Sequence, residues 1–396
     1  MRLLVLSTNS PYGELRYVHS SVGGAEMALR RLAEHLAATG DEVAYLSTAR
    51  HGVRPLRSMS EERICGVRVL HLRGPSVPLA NRVAGPLHRR VFESTVAGVC
   101  CDLAVQTILT YATIPDTLSA VRARRSRPGL RVVEWMAGRS WELHMSRHPE
   151  DVDILSEALC GTDATLFETD CLREYTERMM RDYGVEISSE CAKVNFGVDS
   201  SPSGIRDAPF GDTPYVFSAG MFKPGSKRQD ILIDAMPTVL SNVPDMHLVM
   251  TGVGELLEER RQQARELGIS DRVHFLGLVP RPDVFMWLRN AQAFVLATEF
   301  EGKPQAVLEA LASGIPCVVS DIPPMRELFA EEPELLDACL SDNEANHFGE
   351  RMGSLLTDEA KLRRVRSATR RIGSAIVARG IEGMDEIRRI LSVGLR

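Results

Sequence analysis

Short runs of aliphatic and β-branched residues alternate along this chain with longer stretches in which apolar residues recur at helical spacing. In the first half the pattern predicts strands near Leu3–Ser7, Val43–Ser47, Val67–Leu72, Leu103–Thr107, Arg131–Trp135, Thr165–Glu168 and Lys193–Phe196. In the second half it predicts strands near Tyr215–Ala219, His247–Thr251, Val273–Leu276, Ala293–Ala297 and Cys317–Ser320. The clearest helical pattern covers Gly24–Thr39. Such alternation predicts an α/β fold, in which helices cover both faces of parallel sheets.

The chain is long enough for two hydrophobic cores. Its 396 residues exceed the length at which one core usually stops growing. The best boundary is the Pro-, Gly- and Ser-rich stretch that begins at Asp199 and runs to Pro214. We therefore predict Rossmann-like domains over residues 1–199 and 200–375, with 376–396 forming a C-terminal helix that packs back on the first domain. Two doubly wound domains of this kind would bind a ligand in the cleft where the carboxyl ends of their strands face each other.

Composition narrows the class of protein. The chain has 44% hydrophobic and 25% charged residues, as is ordinary for a globular protein, and its net charge of -6 argues against nucleic-acid binding. No apolar run approaches the length of a membrane-spanning helix, and the apolar start Leu3–Leu6 is too short for a secretory signal. The eight cysteines are scattered without a Cys-x-x-Cys pair. We expect reduced thiols, no metal site and a cytoplasmic location.

Charge is distributed unevenly in the first half of the chain. Fourteen arginines and five acidic residues lie between Arg50 and Arg131, whereas six basic and fifteen acidic residues lie between Val132 and Asp199. One interpretation is that the two stretches lie side by side and neutralise each other. The other is a basic face on the first domain, which would suit an anionic acceptor or a peripheral contact with a membrane surface. The sequence leaves both open.

The segment from Ala297 to Gly314 carries the strongest candidate chemistry. A buried strand is predicted to end at Thr298, a polar Gly-Lys-Pro loop follows, and a helix continues to Gly314. Glu301 lies before that helix, and Glu309 lies one to two turns inside it. A carboxylate in the loop can accept hydrogen bonds from sugar hydroxyls, and one on the helix can accept both hydroxyls of a ribose. The amides of the first helical turn offer donors to a diphosphate.

A second strand end and polar loop runs from Phe217 to Lys227. Only five of the 47 basic residues in the chain are lysines, and three of these, Lys223, Lys227 and Lys303, lie in the two loops. In a chain that uses arginine so heavily, lysines at these places indicate a need for the compact point charge that phosphates often receive.

Three other motifs are weaker. Gly23 and Gly24 open the first long helix, where glycine lets the backbone approach a ligand and the helix N-terminus favours anionic oxygens. The segment Gly220–Lys227 nearly matches an ATP-binding P-loop, but its lysine comes one place late, and Arg228 stands where Ser or Thr would hold magnesium. Asp151-Val-Asp153 is similar to a metal-binding Asp-x-Asp, but an N-terminal turn of a helix explains it better.

Together these segments resemble the family 4 retaining glycosyltransferases, which have the GT-B fold. The resemblance is strongest in Glu301-x7-Glu309, within Phe-Glu-Gly-Lys-Pro-Gln-Ala-Val-Leu-Glu-Ala-Leu-Ala-Ser-Gly. Other segments follow in matching order: Gly23-Gly24, the interdomain-like Lys193–Asp199, Gly220–Ala235 and Val273–Gly277. The resemblance implies an enzyme that transfers a sugar from a UDP-, GDP- or other nucleotide-sugar, retains the anomeric configuration, and uses no metal or other cofactor.

The resemblance also implies roles for individual residues. Glu309 would bind the donor ribose, while Glu301 beside the sugar and Lys227 at the diphosphate would be the catalytic pair. The remaining donor contacts would be Gly302, Lys303 and Pro304 at the sugar and phosphates, Gly23 and Gly24 over the phosphates from the first domain, and Leu278 at the base. The first domain would select the acceptor, which the sequence does not identify.

Three positions depart from the family pattern. Met221 stands where the family has an arginine, and Lys223 is the candidate substitute. No histidine follows the strand near Val133, where Glu134–Gly138 stands instead. Lys303 replaces a more common aromatic residue, which suggests an anionic donor sugar. Two alternatives stay open: an epimerase or hydrolase that acts on the nucleotide-sugar itself, and a non-catalytic subunit that only binds it, which Met221 and the missing histidine would suit.

Overall fold

A computed structural model describes residues 1–7, 11–12, 23–49, 59–73, 80–111, 114–187, 189–199, 210–225 and 227–395. The chain divides into two compact units. Unit 1 contains Met1–Gly197 together with Gly380–Arg396, and unit 2 contains Val198–Arg379. Most of the polar stretch predicted as a linker, residues 200–209, lies outside the described residues.

Unit 1 is built on one mostly parallel sheet. Its described strands are β1 Arg2–Ser7, β2 Glu42–Ala49, β3 Met59–Ile64, β4 Val67–Arg73, β5 Thr107–Tyr111, β6 Arg131–Met136, β7 Ala164–Phe167 and β8 Glu190–Lys193. They lie in the order β3-β4-β2-β1-β5-β6-β7-β8, and among the described pairs only β3 with β4 is antiparallel. Because helices cover both faces of a parallel sheet, its central strands are largely apolar, and Leu3–Leu6 of β1 are at most 1% exposed.

Helices pack on this sheet through the apolar spacing seen in the sequence. They are α1 Gly24–Ala38, α2 Ala80–Asp102, α3 Ile114–Ala123, α4 Ser140–Arg147, α5 Val152–Cys160 and α6 Asp170–Asp182. In α1, Leu29, Leu32 and Leu36 are fully buried and belong to the same hydrophobic cluster as residues of β1 and β2. Burial of this one face is what holds a helix of such length in place.

Unit 2 has a second parallel sheet. Its described strands are β9 Tyr215–Ala219, β10 His247–Thr251, β11 Val273–Phe275, β12 Ala293–Leu296, β13 Cys317–Ser320 and β14 Leu340–Ser341, in the order β11-β10-β9-β12-β13-β14. The helices that follow the chain through it are α7 Gln229–Asn242, α8 Leu257–Glu266, α9 Arg281–Asn290, α10 Gln305–Ala312, α11 Pro323–Phe329, α12 Pro333–Cys339, α13 Ala345–Thr357 and α14 Glu359–Leu391.

The long helix α14 begins in unit 2 and ends in unit 1. Its glycines allow backbones to approach closely. A Cβ atom on Gly373 would lie 2.0 Å from the carbonyl oxygen of Leu311, and one on Gly380 would lie 2.7 Å from the Cα atom of Gly197. After Gly380, Ile387 and Leu391 of α14 are buried in the core of unit 1, whereas Ile381 is exposed.

The α/β class predicted from the sequence is confirmed, and two predicted strands are displaced. β5 begins at Thr107, where the prediction ended, because α2 runs to Asp102 and the chain turns through Ala104 with a φ of 48°. β8 ends at Lys193, where the prediction began, and the next apolar residues, Val194 and Phe196, are buried in the core of unit 1. The pattern also misses β3, an edge strand whose side chains are mostly exposed.

The oppositely charged stretches of the first half pair with each other. Arg122 contacts Glu157 at 2.7 Å, and Arg124 contacts Asp163. Acids of the second stretch therefore neutralise arginines of the first, which favours mutual neutralisation over a basic face. The parts of the arginine-rich stretch at 50–58 and 74–79 lie outside the described residues. None of the helices in the described part of the chain is both long and apolar enough to cross a membrane.

Candidate functional site

The strand order in unit 2 marks the place where a ligand would bind. From β9 the order runs through β10 to β11 on one side and through β12 to β14 on the other, so the connections diverge between β9 and β12. Doubly wound folds bind ligands outside the carboxyl ends of the strands at such a switch point. The loops that follow β9 and β12 are the two that carry the candidate lysines and glutamates.

Lys227 and Glu301, one from each of these loops, form an ion pair. The ammonium group of Lys227 contacts Oε1 of Glu301, and the two side chains are 20% and 14% exposed. The backbones are joined as well. Lys227 pairs with Thr298 in an antiparallel bridge, and the Arg228 N–H donates to the carbonyl oxygen of Ala297 at 2.9 Å. Two residues 74 positions apart in the sequence therefore meet at the switch point.

Hydrogen bonds from β13 and β14 hold the end of β12. The hydroxyl of Ser320 accepts from the Thr298 N–H at 2.7 Å and donates to Oδ1 of Asn343 at 2.6 Å. The amide of Asn343 donates in turn to the carbonyl oxygen of Thr298 at 2.9 Å, and the Thr298 hydroxyl donates to Glu301 Oε1 at 3.2 Å. The sheet itself therefore positions Glu301. The sequence motifs do not point to Ser320 or Asn343.

Glu309 lies in α10 and is 4% exposed. Its Oε1 atom contacts Nη2 of Arg281, the first residue of α9, and the same nitrogen lies 2.8 Å from Oδ2 of Asp199. Burial disfavours the charge of Arg281, but the carboxylates of Glu309 and Asp199 outweigh it and raise the pKa of the guanidinium above its ordinary value. Nothing in the sequence motifs points to Arg281, because α9 carries no recognisable pattern beyond its helical spacing.

The other donor-site residues predicted in unit 2 lie in the same group of loops. Gly302 and Pro304 are buried and Lys303 is half-buried, all in the turn before α10. Lys223 is exposed in the loop after β9, and Leu278 is 41% exposed in the loop after β11. All five therefore follow the carboxyl ends of strands in the same sheet.

The loop after β9 passes directly over the loop after β10. A Cβ atom on Gly252, which has a φ of 139°, would lie 1.9 Å from the carbonyl oxygen of Gly220, and one on Gly254 would lie 2.1 Å from that of Phe222. The Phe222 N–H also donates to the carbonyl oxygen of Val253 at 3.1 Å. In the sequence, Gly252-Val-Gly254 lacks the third glycine of a dinucleotide fingerprint. In the structure it lets the loop that carries Lys223 and Lys227 lie close to the sheet.

Gly23 and Gly24, the predicted phosphate contacts of the first domain, lie at the N-terminus of α1. The Gly23 N–H donates to the Glu26 carboxylate at 2.9 Å, and Glu26 is 5% exposed. An acid of the same helix therefore occupies one of the amides that the prediction assigns to phosphate. Ser21 and Val22, which precede these glycines, lie outside the described residues.

A buried carboxylate stands near the end of β6, the strand after which the family pattern has a histidine. Glu134 is fully buried and accepts hydrogen bonds from the hydroxyls of Thr110 and Thr117. The next two residues, Trp135 and Met136, are also fully buried. Glu134 is thus held inside unit 1 and does not project from the loop as a replacement for that histidine.

Asp151 and Asp153 begin a helix, as the sequence predicts. Asp151 ends a single 3-10 turn and lies 2.8 Å from Nε2 of His144, and α5 starts at the next residue, Val152. Across the described ranges, no group of three or more His, Cys, Asp or Glu residues is placed to hold a metal ion.

Comparison with known proteins finds a family that matches the part of the chain that holds this site. Residues 206–372, which run from before β9 into α14, match the family described as Glycosyl transferases group 1. These residues are similar to a group 1 glycosyltransferase domain. The matched residues contain Lys227, Glu301, Arg281 and Glu309, and therefore the ion pairs Lys227–Glu301 and Arg281–Glu309, whereas Asp199 lies before them.

Relatives of known name align with parts of the chain. The lipopolysaccharide 1,6-galactosyltransferase of Salmonella typhimurium is 34% identical over 139 residues, which is 34% of this chain and 38% of that protein. The UDP-Gal:alpha-D-GlcNAc-diphosphoundecaprenol alpha-1,3-galactosyltransferase of Escherichia coli is 36% identical over 81 residues, 20% of each chain. The Vi polysaccharide biosynthesis protein VipC/TviE of Salmonella typhi is 32% identical over 107 residues, 27% of this chain and 18% of that protein. Each alignment spans well under half of the relative's length.

Solved structures match the whole chain. Sucrose-phosphate synthase from Thermosynechococcus elongatus superimposes with a TM-score of 0.75 at 16% identity and covers 100% of both chains. Anabaena Alr3699/HepE in complex with UDP and glucose has a TM-score of 0.71 at 15% identity and covers 99% of this chain and 100% of that one. At such identities the likeness concerns the fold, and it confirms the predicted pair of Rossmann-like domains of the GT-B class.

Proposed function

We propose that this protein transfers a sugar from a nucleoside-diphosphate-sugar, such as a UDP- or GDP-sugar, to an acceptor, with retention of anomeric configuration. One observation carries the proposal. Lys227 and Glu301 come from two different loops and meet at the switch point of a glycosyltransferase domain. A relative whose name includes UDP-Gal and a similar fold solved in complex with UDP support this class of donor.

In this proposal the donor lies along the carboxyl ends of β9, β11 and β12. Buried Glu309 accepts hydrogen bonds from the ribose hydroxyls, and the backbone near Leu278 contacts the base. Gly302, Lys303 and Pro304 line the sugar and phosphates. The amides of the first turn of α10 favour the diphosphate, because a helix N-terminus offers unpaired N–H donors.

The chemistry breaks the bond between the anomeric carbon and the β-phosphate oxygen. The acceptor atom forms its bond to that carbon on the same face, and its proton passes to the departing phosphate. Negative charge grows on the leaving group, where Lys227 neutralises it, while Glu301 holds the sugar hydroxyls. Stabilising such charge with fixed cations is among the largest contributions to catalysis. Because Lys227 is paired with Glu301, the diphosphate must compete for it.

We further propose that the transfer needs no metal ion, because lysines supply the positive charge at the diphosphate. Lys223 is the second cation in this scheme. It is exposed in the loop after β9, two residues after Met221, where the family pattern has an arginine. We expect turnover to be unchanged by EDTA and lowered by Lys223→Ala. Loss of turnover on chelation that Mg²⁺ or Mn²⁺ restores would contradict metal independence.

Lys303 is proposed to favour an anionic donor sugar, such as a uronic acid. It is half-buried in the turn before α10, close in sequence to Glu301. The substitution Lys303→Phe, which restores the more common aromatic residue, is expected to shift the preference from an acidic to a neutral sugar. The ratio of kcat/KM for a UDP-hexuronic acid and the matching UDP-hexose measures the shift. An unchanged ratio would dispose of this idea.

For the acceptor we propose a polysaccharide or a lipid-linked sugar, which also allows a peripheral contact with a membrane. Support comes from relatives named for lipopolysaccharide, for Vi polysaccharide and for a diphosphoundecaprenol acceptor. A basic face selective for anions has less support, since Arg122 and Arg124 are already paired with acids.

A thermal-shift panel of nucleoside diphosphates and nucleotide-sugars tests the donor class. A ligand at one hundred times its Kd adds about 2.7 kcal/mol to the free energy of unfolding, which raises Tm by a few degrees. The stabilising nucleotide-sugar is then incubated with and without glycan or lipid-linked acceptors, and both products are analysed. Full conversion of donor alone to an epimer would indicate an epimerase. Donor binding with no transfer, unaffected by Glu301→Ala, would indicate a binding subunit. If no nucleotide raises Tm, the proposal fails.

A further inference from the structure

We propose that Arg281 is a positioning residue that, together with Asp199, holds the Glu309 carboxylate ionised and aimed at the donor ribose. The inference rests on the proposed function, since it takes Glu309 to be the ribose-binding group. No motif in the sequence assigns a role to Arg281. The proposal concerns how the chain keeps a buried carboxylate ready for two hydroxyl groups.

One nitrogen atom of Arg281 contacts the carboxylates of two acidic residues. Nη2 of Arg281 contacts Oε1 of Glu309 and lies 2.8 Å from Oδ2 of Asp199. The guanidinium carbon lies 5.0 Å from the ring centre of Phe285, within the range of a cation–π contact. The guanidinium of Arg281 therefore contacts Phe285 of its own helix and the carboxylates of both Glu309 and Asp199.

Glu309 needs such a partner because it is 4% exposed. A buried carboxylate without a nearby cation is strongly disfavoured and tends to take up a proton or turn towards water. A protonated carboxyl loses the charge that strengthens its hydrogen bonds to hydroxyls. A carboxylate has about four acceptor positions, so the contact from Nη2 of Arg281 takes up only part of the hydrogen-bonding capacity of Glu309.

Asp199 connects this pair to the place where the chain passes from one unit to the other. It lies two residues after Gly197, the last residue of unit 1 before the chain enters unit 2. Gly197 is itself packed against Gly380, where a Cβ atom would lie 3.2 Å from the other glycine's Cα atom. Because Asp199 contacts Arg281, it is expected to affect ribose binding through Arg281 without touching the donor.

The test uses the full chain and three variants. Arg281→Gln removes the charge, Arg281→Lys keeps it, and Arg371→Gln is the matched control, since Arg371 forms a distant pair with Glu332. Isothermal titration measures binding of UDP and GDP, of the 2′,3′-dideoxy form of whichever binds, and of inorganic pyrophosphate. Wild-type binding of UDP or GDP tests the proposed function separately from this inference.

We expect Arg281→Gln to weaken binding of the ribose-containing nucleotide by about tenfold to hundredfold, the effect of losing a hydrogen bond to a charged group. Binding of the dideoxy nucleotide and of pyrophosphate should change by less than about threefold, because neither engages Glu309. Arg281→Lys should recover most of the loss, since a single nitrogen makes both contacts. Arg371→Gln should bind all probes as the wild type does.

Two results would overturn the inference while leaving the proposed function standing: equal binding of UDP or GDP by wild type and Arg281→Gln, or equal losses for the ribose and dideoxy forms. If Arg281→Gln does not fold, Asp199→Asn replaces it, because the side chain of Asp199 is 26% exposed and tolerates the change better. If Asp199→Asn weakens binding of the ribose-containing nucleotide several-fold more than binding of its dideoxy form, the inference is supported. If both forms lose affinity equally, or neither does, the inference is rejected. If the wild type binds neither nucleotide, the proposed function itself has failed.

Discussion

The ion pair between Lys227 and Glu301 gives a sharp test of the proposed site, because its two members are expected to affect donor binding in opposite directions. In the structure, the charge of each side chain is paired with that of the other. In the proposed function, donor binding would replace Glu301 by the diphosphate as the partner of Lys227. Lys227→Met therefore removes the phosphate contact, whereas Glu301→Gln removes the competitor and leaves the lysine available.

The magnitudes follow from burial. Breaking a fully buried ion pair by removing one partner costs about 3–5 kcal/mol. The side chains of Lys227 and Glu301 are 20% and 14% exposed, so we expect Lys227→Met to lower the free energy of unfolding by roughly 1–2 kcal/mol. The double variant should recover much of this, because no charge is left unpaired. Loss of a cation–phosphate contact of about 1.5–3 kcal/mol weakens nucleotide binding by about tenfold to hundredfold.

Two assays separate stability from binding. Urea unfolding of wild type, both single variants and the double variant gives the coupling energy. Isothermal titration with UDP and GDP gives Kd, for which we expect Lys227→Met to bind more weakly and Glu301→Gln to bind at least as tightly as wild type. Transfer should fall in both single variants, by about 10²–10³ for Lys227→Met. Lys361→Met, which removes a half-buried lysine of α14 outside the candidate site, is the control.

A Glu301→Gln variant that loses nucleotide affinity as strongly as Lys227→Met would refute this competition. It would mean that Glu301 supports the nucleotide directly or that its charge holds the loop in shape. A coupling energy near zero between Lys227 and Glu301 would also contradict this competition, because the two side chains would then not stabilise each other in the absence of donor. Unchanged Kd and turnover in Lys227→Met would remove this lysine from the site.

The remaining predictions concern stability. Gly252→Ala would place a Cβ atom 1.9 Å from a carbonyl oxygen, so we expect a loss of roughly 2–3 kcal/mol in urea unfolding. Gly268→Ala, at a φ of 69° with open space around it, should cost only about 1 kcal/mol; equal costs would refute the close approach. Burial and the charge of His247 lower the pKa of His274. The unfolded chain therefore binds more protons than the native state below about pH 6.5, and stability should drop there as pH falls. In Tm measured at pH 7.5 and 5.5, His274→Gln should reduce that drop. His347→Gln should increase it, because Asp342 raises the pKa of His347.

Much of the local structure follows from the sequence because strands and helices of an α/β fold bury regular patterns. Tyr215–Ala219, His247–Thr251 and Cys317–Ser320 lie where the apolar runs predict them. The prediction is wrong where local pattern and packing disagree. The apolar run Leu103–Thr107 begins in the turn after α2, and β3 has no apolar face to reveal it.

For the site, the sequence indicated which loops carry unusual residues but not which of these residues touch. Local spacing places Glu301 before α10 and Glu309 within it, because both lie in one short segment. The pairing of Glu301 with Lys227 depends on β9 and β12 being neighbours. Neighbouring strands far apart in sequence are a property of topology, which no local pattern specifies.

By itself, then, the sequence determined the α/β class, most strand positions and the two polar loops, since each depends on periodicity and turn chemistry within about twenty residues. Only the tertiary structure decided that Arg281 contacts both Glu309 and Asp199, and that glycines at 252 and 254 lie beneath the lysine loop. It also decided that Arg122 and Arg124 pair with acids of the acidic stretch that follows them. Such contacts arise from the packing of distant segments, where burial makes each charge require a partner and each close backbone approach require a glycine.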